Sequence, residues 1–380
     1  MTYIWQPALW PKFEWDIDRL TSRIAVVRLD QGRLIGRVES LGFRTRETTF
    51  LRALTDDVVK SSAIEGEQLD EQQVRSSLAR RLGIDIDGFV TPSRSVEGIV
   101  HITLDATINC AAPLTAERLF QWHAALFPTG RNEWGHKLRV GDWRDDSGGR
   151  MEIVSGAFGY EKVHYVAPPA DRVEAEMSAF LEWFNGLHEP DPLIKAAIAH
   201  LWFVAIHPFG DGNGRITRAI ADMALARSGG GAQRLYSMSA AIERSRIGYY
   251  EALQSITSKN SLDITNWIEW FLDRLGNAVG EALLTLDNVM LKNDFWQTHA
   301  ASDLNPRQAK VLNRLLEGNF QGKLTSTKWA KLTNASQDTA SRDIAGLMAK
   351  GILQKGEAGG RSTAYELVLN FPTNHASESG

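Results

Sequence analysis

A single cysteine, Cys110, in 380 residues excludes an intramolecular disulfide and any cysteine-rich metal site. No apolar run approaches the ~20 residues that a membrane helix needs, and no basic segment followed by an apolar stretch opens the chain as a secretion signal would. Internal repeats are lacking as well. Neither sign of charge dominates: 42 Lys and Arg stand against 46 Asp and Glu, a formal net charge of −4. That balance excludes a protein that coats nucleic acid along its whole length. These absences predict a soluble chain of the reducing cytoplasm. Its length predicts two or three domains.

What is present is concentrated in twelve residues, His207-Pro208-Phe209-Gly210-Asp211-Gly212-Asn213-Gly214-Arg215-Ile216-Thr217-Arg218. Before them, Leu193, Ile194, Ala197, Ile198, Leu201, Trp202 and Ala205 recur at helical spacing and predict a buried helix over 192–206. Pro208 ends it, because proline disfavours helical geometry in the residue before it. Phe209 reads as a core anchor. Gly212 and Gly214 allow a tight turn and close approach of a ligand to the backbone, and a second helix resumes from Arg215. A glycine turn feeding a helix start is an anion site, since free N–H groups and the helix dipole point the same way. Arg215 and Arg218, three apart, place two guanidiniums on one side of the first turn, suited to successive phosphates of a nucleoside triphosphate. Asp211 offers Mg2+ a hard oxygen. His207 is the natural base for a hydroxyl proton. A solvated glycine turn that happens to carry charge is the plain alternative.

These residues resemble the Fic-domain signature HPFx[D/E]GNGRxxR, with every position filled. The resemblance implies a protein adenylyltransferase that moves AMP from ATP to a Ser, Thr or Tyr hydroxyl of a target protein and of itself. By position, it implies His207 as general base, Asp211 as Mg2+ ligand, Gly212, Asn213 and Gly214 as the anion hole, and Arg215 and Arg218 as the β- and γ-phosphate clamps. The glycines and arginines of the loop set it apart from the kinase-like branch. Upstream, Ser61-Ser62-Ala63-Ile64-Glu65-Gly66 resembles the family's inhibitory [S/T]xxxE[G/N] motif. Ser61 and Glu65 share a helix face, and Glu65 is expected to pair with Arg218, making the enzyme self-inhibited (class II). The β-prone runs within 151–169 predict a hairpin around a glycine-containing turn. It resembles the family's flap, which aligns a target by strand addition, with Val154, Gly156 and Ala157 as the docking edge; a plain surface hairpin is the alternative. Arg244 and Tyr250, with Tyr236–Ser239, resemble the region near the nucleotide base.

The resulting expectation is a mainly α chain. A helical extension spans 1–90, where Ile17, Leu20, Ile24, Val27, Leu34, Val38 and Leu41 step as a long amphipathic helix. A helical Fic core with its β-hairpin flap spans 91–285, a winged helix-turn-helix 286–370, and a disordered polar tail 371–380. From Asn305 to Glu366, ten Lys and Arg stand against five Asp and Glu. There a helix over 336–350 reads as a DNA-recognition helix, with Gln337, Thr339, Ser341 and Arg342 as groove contacts and Arg361 in the wing. Asp338 and Asp343 on that helix oppose phosphate, and winged helices also serve as protein-docking or dimer modules. Other readings stay open: an ATP-sensing transcriptional regulator, another nucleotide donor, or removal of AMP with Glu65 orienting water. A homodimer is a family-level expectation.

Overall fold

The computed structural model describes residues 2–39, 41–132, 134–147, 149–155, 162–186, 190–229, 234–316, 320, 322–356 and 363–369. Gly156, Ala157, Arg361 and the tail expected over 371–380 lie outside them. The chain divides into two compact units, Met1–Leu283 and Leu284–Gly380.

In the first unit the helices are α1 (Ile17–Glu39), α2 (Phe43–Ile64), α3 (Glu71–Leu82), α4 (Arg94–Ile108), α5 (Ala116–Leu126), α6 (Ala170–Asn185), α7 (Pro192–Ile206), α8 (Asn213–Ser228), α9 (Met238–Arg244), α10 (Arg246–Thr257) and the start of α11 (Thr265–Thr298). One antiparallel hairpin, β1 (Glu152–Ser155) and β2 (Lys162–Val166), interrupts them. Along α1 the residues spaced by seven or four, Leu20, Val27, Leu34 and Val38, are buried, whereas Ile17 in its first turn is half exposed. The helix stops before Leu41. At the centre lies α7. Asp191 caps it through the Leu193 N–H at 2.8 Å, Pro192 occupies the first turn where a missing N–H costs nothing, and twelve of its fifteen residues are buried. An apolar surface on every side is what a helix packed all round requires. α8 runs alongside it.

A buried ion cluster fastens α2 to this centre. Arg234 donates to Asp57 of α2 at 2.6 Å and to Asp222 of α8, while Asp57 also accepts from the Ser237 hydroxyl (2.7 Å) and the Ser239 N–H (3.1 Å). Burial, together with the neighbouring Asp57 charge, lifts the Asp222 carboxyl to about 8 despite Arg234. The hydrogen bonds and Arg234 hold Asp57 low against its own burial. Tyr236, Ser237 and Ser239, expected near a nucleotide base, are buried, and both serines bond Asp57. Removing the shared cation leaves two buried carboxyl groups without their common donor. Arg234→Met is therefore expected to lower stability by about 3–5 kcal/mol, read as a shift of the urea midpoint; a change under ~1 kcal/mol would contradict this account.

The second unit holds the end of α11, then α12 (Pro306–Leu316), α13 (Ser326–Thr333), α14 (Gln337–Ala349) and an antiparallel pair, β3 (Leu353–Lys355) with β4 (Tyr365–Leu367). Its own core gathers Val311, Leu312, Trp329, Ile344, Leu347 and Ile352. Thr325 and Ser336 cap α13 and α14, and Asn334 turns the chain between them at φ +51°. Gln337, Ser341 and Arg342 are exposed and Thr339 half-buried. Asp343 does not face outward with them. It is buried, accepting two hydrogen bonds from Arg307 (2.8 and 3.1 Å) and one from Asn305 (2.8 Å). It is a tie between α12 and α14, because a bidentate guanidinium compensates a carboxylate withdrawn from water. No helix among the described residues is long and apolar enough to cross a membrane.

Candidate active site

The twelve-residue motif joins α7 to α8. His207 caps α7 in the left-handed region at φ +52°, its N–H still bonded to the Phe203 carbonyl at 3.0 Å. That conformation is unusual for a residue with a side chain. Its ring Nδ1 lies 3.2 Å from the Val204 carbonyl oxygen. A carbonyl only accepts, so Nδ1 carries the proton and Nε2 is left as the basic nitrogen. Burial pushes the imidazole down to about 4, the Val204 bond and Glu65 acting upward and Arg144 downward. His207 is therefore neutral at pH 7.

Phe209 is fully buried and stacks on His123 with ring centres 4.2 Å apart. Asn213 closes the turn on itself: its side chain accepts from the Phe209 N–H (3.0 Å) and donates to the Phe209 carbonyl (2.7 Å). The asparagine amide thus holds the loop, and only its backbone N–H remains for an anion. Asp211 accepts from the Gly212 N–H at 2.6 Å. Gly212 precedes α8 at φ +79°, and a Cβ there would meet Phe127 at 2.9 Å. Glycine is required on both counts. The helix opens two residues before Arg215, since Gly212 can take the capping conformation.

The start of α8 is already covered by a carboxylate. Glu65 lies so close to Gly214 that a Cβ there would fall 2.1 Å from its Oε1. The same Oε1 accepts from Arg218 Nη1 at 2.7 Å. Ser61 completes the hold: its hydroxyl accepts from Arg218 Nε (2.9 Å) and its carbonyl from Nη2 (2.8 Å). Arg218 is 2% exposed; burial opposes its charge, but Glu65, with Tyr249 and Tyr250 beyond it, raises its pKa. Two residues further on, Glu67 Oε2 accepts from Arg215 Nη1 at 2.8 Å. Both acids leave one turn at the end of α2. Gly66 adopts φ +93° there, and the Glu67 N–H returns to the Ser62 carbonyl at 3.1 Å. Each arginine of the motif is therefore engaged by an acid of the α2 terminus.

Of the remaining expected residues, Tyr250 is close by, its hydroxyl donating to the Ile64 carbonyl at 3.1 Å. Arg244 instead pairs with Glu281 at 2.5 Å on a half-exposed surface. Val154 is exposed on β1, opposite Val163, at an irregularity in the hairpin register. Among the described residues no three His, Cys, Asp or Glu converge as a metal cluster. Two residues escaped the sequence reading. Glu67 was legible, as the second acid of Glu-Gly-Glu. Arg144 was not: it lies sixty-three positions from His207, whose carbonyl it binds at 2.8 Å.

Against known proteins, residues 113–225 match the Fic/DOC family and residues 3–84 a domain of unknown function, DUF4172. The chain is similar to the protein adenylyltransferase fic-1 of Caenorhabditis briggsae, 30% identical over 187 residues, which is 48% of this chain and 33% of that protein. It is similar also to that of Caenorhabditis elegans, at 29% over the same length and coverage. The match spans about a third of these relatives. A Fic family protein from Desulfovibrio desulfuricans superposes with a TM-score of 0.50 at 23% identity, covering 92% of this chain and 95% of the other, a likeness of fold. The motif between α7 and α8 lies within residues 113–225, and it is these residues that match the Fic/DOC family.

Proposed function

We propose that the chain is a protein adenylyltransferase that transfers AMP from ATP to a Ser, Thr or Tyr hydroxyl of a target protein and of itself, and that the α2 terminus holds it inactive. The observation that carries the reading is the neutral His207, its Nδ1 proton given to Val204 and Nε2 free to accept, at the glycine-led start of α8. His207 takes the proton of the target hydroxyl, the oxygen attacks the α-phosphorus, and the bond to the β,γ-pyrophosphate breaks. Arg215 and Arg218 hold the leaving pyrophosphate, and the backbone of Gly212, Asn213 and Gly214 receives phosphate oxygens. Positioning and charge neutralisation supply most of the rate. Asp211 suits Mg2+, which is commonly held by one or two carboxylates plus substrate phosphates and water rather than by a protein cage. Bound there, the ion would neutralise phosphate charge. Glu65 occupies the place of the phosphate against Gly214 and Arg218, and Glu67 closes Arg215. Val154 lies on the hairpin that would receive the target segment.

Incubating the full chain with Mg2+ and ATP labelled at either the α- or the γ-phosphate tests the reaction class. Protein-bound α-label without γ-label is expected, strongest once Glu65 is replaced. Stable γ-label would mean phosphoryl transfer. No label with ATP still bound would turn the site into a nucleotide sensor. For the C-terminal unit the proposal is a winged helix-turn-helix that offers Gln337, Thr339, Ser341 and Arg342 to DNA. The inward turn of Asp343 supports it by withdrawing one of the two acids that would oppose phosphate.

A further inference from the structure

Arg144 is 5% exposed, yet its donors reach three separate segments. Its Nε donates to the His207 carbonyl at 2.8 Å, and its own backbone N–H donates to the Pro208 carbonyl at 2.9 Å. Nη2 donates to the Pro168 carbonyl, just past β2. Nη1 meets Asp146 at 3.2 Å, and the other Asp146 oxygen accepts from the Ala170 N–H at 2.9 Å, where α6 begins. Two further bonds hold the hairpin, one to α7 and one to the N-terminal segment. The Tyr165 hydroxyl donates to the Ala205 carbonyl in the last turn of α7 at 2.7 Å, and Trp5 Nε1 donates to the Val166 carbonyl at 2.8 Å.

We propose that Arg144 is a positioning residue that fixes His207 and the β1–β2 hairpin in a single relation to each other. The inference rests on the adenylyl-transfer reading for its consequence, though not for its geometry. A left-handed, non-glycine residue persists only where its surroundings over-determine it. At His207 the Arg144 guanidinium supplies that constraint by holding the His207 carbonyl, beyond the last turn of α7, while the Arg144 backbone N–H holds the next carbonyl, Pro208. Because the same guanidinium holds Pro168, the strand that would carry a target is referenced to the base that would deprotonate it. A lysine keeps the charge but lacks the planar fork. The charged groups that act on the His207 ring are Arg144 and Glu65.

The test uses the full chain with Glu65→Gly as parent, and adds Arg144→Lys, Arg144→Met or Asp146→Ala. Incorporation from α-labelled ATP into the protein itself is read together with the KM for ATP. The His207 ring is followed by NMR, its signal assigned by its loss in His207→Ala. Both Arg144 variants are expected to slow incorporation about ten- to a hundredfold with the KM for ATP within about twofold, because the phosphate clamps on α8 are untouched. The His207 titration and its Nδ1–H signature are expected to move toward those of a free imidazole. Asp146→Ala is expected to shift the ring the same way by less, and it carries the test should the Arg144 variants fail to fold. An unchanged His207 signal in a folded variant overturns the proposal, as does a proportionate loss of ATP affinity. A parent that transfers nothing, while Arg144→Lys still moves the His207 signal, overturns the transfer reading and leaves the positioning role standing.

Discussion

His207→Ala is expected to reduce AMP incorporation by about 10³-fold, the middle-to-upper range for loss of a positioned general base, while ATP binding stays within about twofold. The groups proposed to hold the nucleotide are the α8 N-terminus, Arg215 and Arg218, and none of them is bonded to the His207 ring. Backbone strain adds a complication, because alanine at φ +52° is no more comfortable than histidine. His207→Asn keeps a side chain better tolerated in that region and separates the two effects. The pH profile provides a second arm. Only the neutral imidazole accepts a proton, so activity is lost as the pH falls through the pKa. With burial holding that value near 4, kcat/KM of the Glu65→Gly enzyme is expected to be flat through 6.5 and to fall only toward pH 4. An inflection at the ordinary histidine value would mean that the ring is solvated in the working enzyme. Undiminished incorporation in His207→Ala would remove it from the chemistry.

The elements that carry this chemistry are local in sequence, which is why they could be read there. Pro192 and Pro208 bracket α7 to the residue, since a proline at each boundary and a helix apolar on all sides leave little choice. The α2 terminus needed a second motif about 140 residues upstream of the first, joined to it by resemblance to the family's inhibitory pattern and by the charge complementarity of Glu65 and Arg218. Spacing cannot report what depends on tertiary contact. Asp343 looked like an exposed acid on a recognition helix, and only the packing of α12 against α14 brings Arg307 to it. Arg244 looked like part of a nucleotide pocket, and its neighbour proved to be Glu281. The Asp57–Arg234–Asp222 cluster joins α2 to residues 177 positions further along the chain, and no spacing pattern reports that contact.

Glu65→Gly is expected to raise incorporation about ten- to a hundredfold and to tighten ATP by a similar factor. The pair it removes is half-screened, because Arg218 is buried but Glu65 is about a third exposed. A charge-assisted bond in that setting contributes about 1.5–3 kcal/mol, and each ~1.4 kcal/mol is tenfold in occupancy. Arg218 would retain the Ser61 hydroxyl and carbonyl as acceptors, so the clamp stays in place while its competitor is gone. Glu65→Gln separates charge from bulk. It leaves the side chain over Gly214 but no longer neutralises Arg218, and an intermediate gain is expected. Glu67→Gln alone is expected to add only a few-fold, because it frees Arg215 while Glu65 still fills the cradle. In the Glu65→Gly background the same substitution is expected to add its full effect, since on the proposed reading the two acids would block neighbouring phosphates of one ligand. Thermal stability gives a readout independent of activity: Glu65→Gly leaves a buried cation short of its counter-charge, so the variant melts below the parent without ATP and recovers more on adding it. Equal ATP affinity and equal incorporation in Glu65→Gly, Glu65→Gln and the parent would mean that the α2 terminus is a structural cap on α8 and not a brake.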